Sequence, residues 1–258
     1  MIIKDQLNRN IRLPRSPVRI VSLVPSQTEL LVDLGLRKNL VGITKFCVHP
    51  KDLREEIKVV GGTKTVHFSK VEVLAPDLII CNKEENTLEM VQALEAIAPV
   101  WVSDIKNISD CIHMIAQLGK LCKRSEESSV VIDSIQSAQS EFLDRIKDRE
   151  HRKVLYLIWK DPYMAAAKDT FIDSMLELNK FQNVFSENDT RYPEVEESFF
   201  EIADLILLSS EPYPFKKEHA EYLRNKYKKE VMQVNGEYFS WYGSRLIEGF
   251  KYFSSLDP

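Results

Sequence analysis

The sequence predicts an α/β protein of two similar lobes with parallel sheets, joined by a long connecting helix. Short β-branched runs alternate with helical segments in both halves of the 258-residue chain, a pattern typical of parallel α/β sheets. The segment LAPDLIICN at 74–82 is echoed by IADLILLS at 202–209, about half the chain later. Between the halves, 108–150 holds no proline and carries apolar residues at helical spacing.

The first half begins its pattern with VRIVSLV at 18–24, which predicts a strand, and Thr28–Leu34 predicts the helix that follows. Ser26 and Glu29 fit an S-x-x-E capping box at the start of this helix. Leu78–Cys81 reads as a buried strand between Pro76-Asp77 and a polar loop. The remaining elements predicted in this half are strands at 40–43, 58–60 and 100–102 and helices at 68–74 and 87–97.

The middle segment predicts two helices, of which the second, Glu126–Glu150, would span about 37 Å at ~1.5 Å per residue. The pattern then restarts with KVLYLIW at 153–159, a predicted strand. A helix at 171–178 and strands at 202–209 and 230–234 follow it. We therefore expect an N-terminal α/β lobe at 1–106, a helical region with the connecting helix at 107–150, and a C-terminal α/β lobe at 151–258.

Composition argues against several classes of protein. Lys plus Arg total 35 against 39 Asp plus Glu, and a nucleic-acid binder usually shows a basic excess. Apolar runs stay far short of the ~20 residues that a membrane helix needs, so we expect no membrane insertion. Charged residues interrupt the first twenty positions, so the sequence read from Met1 predicts a cytoplasmic protein. A periplasmic location is expected instead if a native leader has been removed.

The loops after the predicted strands hold the unusual residues. Parallel α/β lobes bind ligands beyond the carboxyl ends of their strands, so two lobes predict a cleft between these loops. Aromatic and cationic side chains gather there, at positions where no core requires them. The loops are TKFCVHP at 44–50, GGTK at 61–64, NKEEN at 82–86, WKDPYM at 159–164, RYPE at 191–194, SEPYPF at 210–215 and FSWYGSR at 239–245.

These motifs resemble those of the helical-backbone metal receptors, the class III periplasmic binding proteins that include cobalamin- and siderophore-binding components of ABC importers. The resemblance covers nearly the whole chain. The opening RIVSLVPSQTELLVDLG at 19–35 and the strand LAPDLIICN at 74–82 are specific to this superfamily. GGTK, NKEEN and WYGSR look like a narrower branch that is often labelled cobalamin-binding. The resemblance implies a shallow, preformed cleft that takes a large metal chelate as its bound substrate, with no intrinsic cofactor.

Two groups of side chains are the candidate ligand contacts. Aromatic rings bring a large contact area at low entropy cost and would stack on a macrocycle, although packing is the alternative for each of them. Cations would bind carboxylates, amide carbonyls or a phosphate, although internal ion pairs are the alternative. The candidates are Trp159, Tyr163, Tyr213, Trp241 and Tyr242 among the aromatics and Lys64, Lys83, Arg191 and Arg245 among the cations.

Cys47 and His49 are candidates for direct metal contact. They lie two residues apart, so on an extended segment both would point the same way. A thiolate with an imidazole can hold zinc or supply an axial ligand to cobalt or iron. Two ligands do not make a closed zinc site, which needs four, so a loop cysteine and an exposed histidine are the alternative.

The function hypothesis that follows is a non-enzymatic substrate-binding protein of ABC-transporter type for a metal chelate. A corrinoid is expected first, and a ferric siderophore or haem next. The sequence contains no nucleophile elbow, phosphate-binding loop, H-E-x-x-H or dinucleotide fingerprint. A cytoplasmic chelatase or corrinoid-handling enzyme on the same frame is one alternative, and a sensor or scaffold without transport is the other.

An ABC permease is the possible protein partner. In secreted cobalamin receptors, the resemblance implies one docking glutamate per lobe, the first just before the helix that leads to the P-D-L strand. Here Ser69 holds that position, and in the second lobe the position falls near Ser198, beside Glu196 and Glu197. We therefore expect a weakened interaction with a permease.

Overall fold

The structure, a computed structural model, describes residues 1–256 and divides into two compact units. The first unit consists of Met1–Ile105, Ser109–Ile135 and Tyr242–Arg245. The second consists of Lys106–Ile108, Gln136–Trp241 and the residues from Leu246 onward. The segment 107–150, predicted as a helical region of its own, is thus shared between the two units. Within residues 1–256, no helix combines the length and the apolar character required to cross a membrane.

The first unit contains a five-stranded parallel sheet with the order β5-β4-β3-β6-β7, and β1 and β2 pair separately as an antiparallel hairpin. Its core is formed by apolar residues on the strands and by helix residues that cover them. The strands are β1 (Ile2–Lys4), β2 (Asn10–Arg12), β3 (Ile20–Ser22), β4 (Leu40–Ile43), β5 (Lys58–Val59), β6 (Leu78–Asn82) and β7 (Val100–Ser103). The helices are α1 (Pro25–Asp33), α2 (Leu53–Glu56), α3 (Phe68–Val73), α4 (Leu88–Glu95) and most of α5 (Ile108–Leu121).

The second unit contains a parallel sheet with the order β10-β8-β11-β12, and the short β9 pairs antiparallel with β8. The strands are β8 (Arg152–Trp159), β9 (Met164–Ala165), β10 (Phe181–Asn183), β11 (Leu205–Ser209) and β12 (Glu230–Val234). The helices are α7 (Phe171–Leu178), α8 (Glu197–Ile202), α9 (Lys217–Tyr227), α10 (Gly236–Ser240) and α11 (Leu246–Ser255). The prediction of two α/β units with parallel sheets is confirmed.

The internal echo of the sequence corresponds to a shared structural device. Asp77 precedes β6, and its carboxylate accepts hydrogen bonds from the backbone N–H groups of Val18 and Arg19, both at 2.9 Å. Asp204 precedes β11, and its carboxylate accepts from the backbone N–H of Lys153 at 2.9 Å. In each unit, therefore, the aspartate of the D-L-I motif anchors the beginning of the neighbouring strand by hydrogen bonds. Asp77 anchors β3, and Asp204 anchors β8.

The connecting helix is α6 (Ser125–Arg145), which has 21 residues and so spans about 31 Å. It begins one residue before the predicted start and ends five residues before the predicted end. Its residues up to Ile135 belong to the first unit and those from Gln136 to the second. A side chain at Gly119 of α5 would overlap the hydroxyl of Ser128, so the glycine permits α5 and α6 to pack closely.

Helix α1 begins differently from the prediction. Pro25 occupies its first turn, where the missing N–H of proline costs no hydrogen bond. The predicted capping box is wrong, because Ser26 is buried within the turn and the Glu29 carboxylate binds Arg245 instead.

Candidate functional site

The carboxyl edge of the second unit's sheet carries a pair of aromatic rings, one exposed and one half-buried. Trp159 is the last residue of β8 and is 42% exposed. Its ring meets Tyr213 edge to face, with 5.6 Å between centroids, and Tyr213 lies in the loop that follows β11. Tyr213 packs in turn on Phe215 at 4.8 Å and on His219 at 5.6 Å. The buried ring of Phe215 thus supports Tyr213, which in turn supports the exposed ring of Trp159.

Trp241 contacts the same loop, 210–215, from another element. It directly follows α10, and its indole N–H donates a hydrogen bond to the Glu211 Oε1 at 2.9 Å. The Ser240 hydroxyl donates to the same oxygen at 2.7 Å. Loop 210–215 therefore supports Trp159 through Tyr213 and Trp241 through Glu211. We call the set of Trp159, Tyr213 and Trp241 the aromatic edge.

Tyr163 lies in the turn between β8 and β9 and is half-buried. Its ring rests on Phe200 with 5.5 Å between centroids, and Phe200 stacks on Tyr227 at 4.4 Å. Burial raises the pKa of the Tyr163 phenol, which keeps its hydroxyl neutral. In the same turn Lys160 pairs with Asp161 at 2.8 Å. Tyr163 is thus anchored on one face and presents a neutral hydroxyl.

Three of the predicted cationic contacts lie in loops and differ in their surroundings. Lys83 follows β6 and pairs with Asp104 at 2.8 Å. Arg191 donates to the backbone carbonyl of Asp169 in the second unit. Lys64 is exposed in the tight turn that follows β5, which a bridge between Gly61 and Val66 closes.

Tyr242 and Arg245 lie in the first unit, where each makes internal contacts. Tyr242 is 6% exposed, its hydroxyl accepts from the Gln27 side chain at 3.3 Å, and burial raises its pKa. Arg245 binds both carboxylate oxygens of Glu29, at 2.8 and 2.6 Å. The Ser244 hydroxyl donates to the Asp33 carboxylate. These are the contacts of packing residues, the alternative that the sequence left open, and a ligand contact by Tyr242 or Arg245 stays a prediction.

The proposed metal contacts do not share an environment. Cys47 is fully buried, and its sulfur lies 3.2 Å from Thr28 Oγ1 and 3.3 Å from Thr44 Oγ1. Burial raises the pKa of this thiol, and a protonated, enclosed thiol is a poor metal ligand. His49 is half-buried in the next turn. Among residues 1–256, no cluster of three or more His, Cys, Asp or Glu side chains is arranged to hold a metal ion.

Two residues of the site have roles that the sequence did not predict. Neither Glu211 nor His219 is among the candidate contacts that the sequence predicts. The structure shows that Glu211 accepts a hydrogen bond from the Trp241 indole and that the His219 ring packs against Tyr213. The signal available for Glu211 was its place in SEPYPF, beside the candidate ring Tyr213. Chemically, the aromatic edge offers stacking surface and phenol or indole hydrogen bonds, which suit binding of a large, partly apolar ligand.

Comparison with known sequences gives a consistent set of relatives. The sequence model of a family described as periplasmic binding protein matches residues 20–231. An uncharacterized ABC transporter substrate-binding lipoprotein, YvrC, of Bacillus subtilis is 27% identical over 189 residues, which cover 70% of this chain and 60% of that relative's length. A vitamin B12-binding protein of Pectobacterium atrosepticum is 21% identical over 241 residues, 90% of this chain and 85% of the relative.

Solved structures share the fold at low identity. The periplasmic vitamin B12 binding protein BtuF of Vibrio cholerae has a TM-score of 0.79 at 18% identity, covering 94% of this chain and 97% of its own. The periplasmic heme-binding protein RhuT from Roseiflexus sp. RS-1 has a TM-score of 0.79 at 15% identity, covering 92% and 96%. At these identities the likeness establishes the fold.

Proposed function

The chain belongs to the periplasmic binding protein family, and we propose that it is a non-enzymatic, ABC-type substrate-binding protein for a metal chelate, with a corrinoid as the favoured ligand. The observation that carries the proposal is the aromatic edge. Trp159 keeps 42% of its surface exposed while Tyr213 supports it from the side. An exposed ring fixed in one orientation is ready to stack on a ligand and loses little conformational freedom on binding. The names of relatives that bind vitamin B12 support the same ligand class.

Charge pairing favours a corrinoid over a polyanionic chelate. Lys83 and Lys160 are each paired with a carboxylate inside their own unit, and Arg245 is paired with Glu29. An anionic ligand, such as haem with its two propionates or a ferric catecholate siderophore, would have to compete with these pairs for the cations. A corrinoid presents mostly neutral amides around an apolar ring, which aromatic side chains and neutral hydroxyls such as that of Tyr163 can meet without breaking an ion pair.

Calorimetry with cobalamin, cobinamide, haemin and a ferric siderophore tests the proposal. We expect cobalamin or cobinamide to bind and Trp159→Ala to weaken that binding by about 30-fold, the scale of an interface hot spot near 2 kcal/mol. Tyr213→Ala should weaken it as well, because the support of Trp159 is lost. The matched control is Tyr222→Ala, which removes a tyrosine that is 56% exposed on α9 and should leave affinity unchanged.

Two results would count against this function. If none of the four chelates binds the unaltered chain, the ligand class is wrong. If a chelate binds and both Trp159→Ala and Tyr213→Ala bind like the unaltered chain, the aromatic edge is a packing feature. Mass spectrometry of the recovered ligand separates the alternatives further, since chemical change would favour a chelatase or corrinoid-handling enzyme and an intact ligand favours a receptor.

We propose that coupling to an ABC permease is weak in this protein. Ser69 is exposed in the first turn of α3, where relatives that dock on a permease are expected to carry a glutamate. Near the corresponding helix of the second unit, α8, Glu197 is engaged with Lys226 at 2.6 Å. Ser69→Glu should strengthen binding to a cobalamin permease in detergent, whereas Ser69→Gln, which adds no charge, should not. Tight binding of the unaltered chain to such a permease would refute the proposal.

The cytoplasmic location stays a prediction, which cell fractionation can test.

A further inference from the structure

Glu211 occupies an unusual position in the second unit, because one of its carboxylate oxygens accepts two hydrogen bonds from adjacent residues. The Trp241 indole N–H donates to Oε1 at 2.9 Å, and the Ser240 hydroxyl donates to the same atom at 2.7 Å. An indole has a single polar hydrogen and no acceptor, so a hydrogen bond from its N–H restricts the orientation of the ring. A charged acceptor makes such a bond shorter and stronger than a neutral one does.

Glu211 is itself held in place by Ser209 and by Gly236. Its backbone N–H donates to Ser209 Oγ at 3.3 Å, and that hydroxyl donates to the Glu211 carbonyl at 2.6 Å. The Tyr156 hydroxyl reaches the same serine oxygen at 3.2 Å, and burial raises the Tyr156 pKa, so it remains a donor. Gly236 lies against the side chain, since a Cβ there would come within 2.8 Å of Glu211 Cγ. The backbone of Glu211 is thus held by β11, which Tyr156 of β8 supports, and its side chain lies against the first residue of α10.

We propose that Glu211 is a positioning residue that fixes the Trp241 indole in the orientation used to bind the chelate. The inference rests on the proposed function, because it requires Trp241 to contact the ligand. Without the carboxylate, the half-buried ring would sample other orientations, and binding would have to restrict it again. Ordering one additional side chain on binding lowers affinity by about 2- to 12-fold, and we expect Glu211→Ala to fall in that range.

The positioning step can be measured without any ligand. The chain has three tryptophans, so a proton–nitrogen correlation spectrum of the labelled protein shows three indole N–H signals, and Trp241→Phe assigns one of them. In the unaltered chain we expect the Trp241 signal to lie downfield and to exchange slowly with solvent. Glu211→Ala should move it upfield and speed its exchange, while Glu211→Gln, which keeps an acceptor oxygen, should give an intermediate result. The buried Trp101 signal, in the first unit, serves as the internal reference for the chemical shift, and the Trp159 signal reports on the folding of the second unit.

The binding step uses cobalamin with the same variants. We expect affinity to decrease in the order unaltered chain, Glu211→Gln, Glu211→Ala, in parallel with the indole signal. Glu221→Ala is the matched control, because it removes an exposed carboxylate of α9 in the same unit and should change neither readout. A Trp241 signal that does not move in Glu211→Ala would overturn the proposal, as would a moved signal with unchanged affinity. Failure of the unaltered chain to bind is a separate result: it would overturn the proposed function and, with it, the role of Glu211.

Discussion

The pair of Arg245 and Glu29 gives the sharpest test of how the segment Tyr242–Arg245 is held. Arg245 donates through two nitrogen atoms to both carboxylate oxygens of Glu29, and the side chains are only 11% and 17% exposed. Truncating Arg245 to alanine would leave a mostly buried carboxylate without this partner. Removing one member of a buried ion pair typically costs 3–5 kcal/mol, and the partial exposure places the expected cost at about 3 kcal/mol.

The assay is urea unfolding in a background where Trp159 and Trp241 are replaced by phenylalanine. Trp101, fully buried in the first unit, then reports on that unit alone. For Arg245→Ala we expect a loss of about 3 kcal/mol, and at roughly 2–4 °C per kcal/mol the melting temperature should fall by about 6–12 °C.

A double-mutant cycle separates the ion pair from the rest of the Arg245 side chain. Glu29→Ala and the double variant should reveal a coupling energy of about 2 kcal/mol. The matched control is Arg124→Ala, because Arg124 pairs with Glu127 at 3.0 Å in the same unit but the two side chains are 39% and 40% exposed. That change should cost less than about 0.5 kcal/mol. Additive effects of Arg245→Ala and Glu29→Ala would show that the pair does not stabilise the unit.

Three further predictions concern stability and reactivity. Burial raises the pKa of the Cys111 and Cys122 thiols to about 12, so the thiolate is scarce at pH 8. Ellman's reagent should therefore label these two cysteines only after unfolding. Rapid labelling of them in the native chain would contradict this prediction. Gly236→Ala should destabilise by about 1–3 kcal/mol because a Cβ would overlap Ser209 Oγ. Gly249→Ala, whose Cβ meets only ordinary contacts in α11, should instead stabilise by roughly 0.5–1 kcal/mol, and equal urea midpoints for the two variants would refute the overlap argument. Asp77→Ala should cost about 1.5–3 kcal/mol in urea unfolding because two backbone N–H groups lose a charged acceptor, and an unchanged midpoint would mean that the start of β3 needs no such anchor.

The alternation of strands and helices was predictable because each sheet is buried under its helices. The runs at 78–81 and 202–209 contain strands that are buried at every position, and such strands appear in sequence as unbroken apolar runs. The ends of elements were less predictable. The run VRIVSLV at 18–24 contains a strand only at Ile20–Ser22, because Leu23 and Val24 are buried beyond the end of the strand and Val18 is exposed before its start.

The overestimated length of the connecting helix has a similar cause. The apolar stripe continues to Ile146, which is buried, so the spacing alone favoured extending the helix further. In the structure α6 ends at Arg145, and Ile146 reaches the core from the turn that follows. Periodicity reports which side chains are buried, and a turn after a helix can bury a side chain as well as the helix can.

The candidate site shows where sequence reasoning stops for a physical reason. In the motif WYGSR, Trp241 binds Glu211 in the second unit, whereas Tyr242 and Arg245 are held by Gln27 and Glu29 in the first. Nothing in the spacing of five adjacent residues reveals that the chain changes units between the first and the second of them. The partners lie about 30 positions away for Trp241 and more than 200 for the others. A motif can thus point to a candidate segment, while only the tertiary contacts show which partner holds each of its side chains. This is why the tests of ligand binding begin with Trp159 and Tyr213 and the test of stability begins with Arg245.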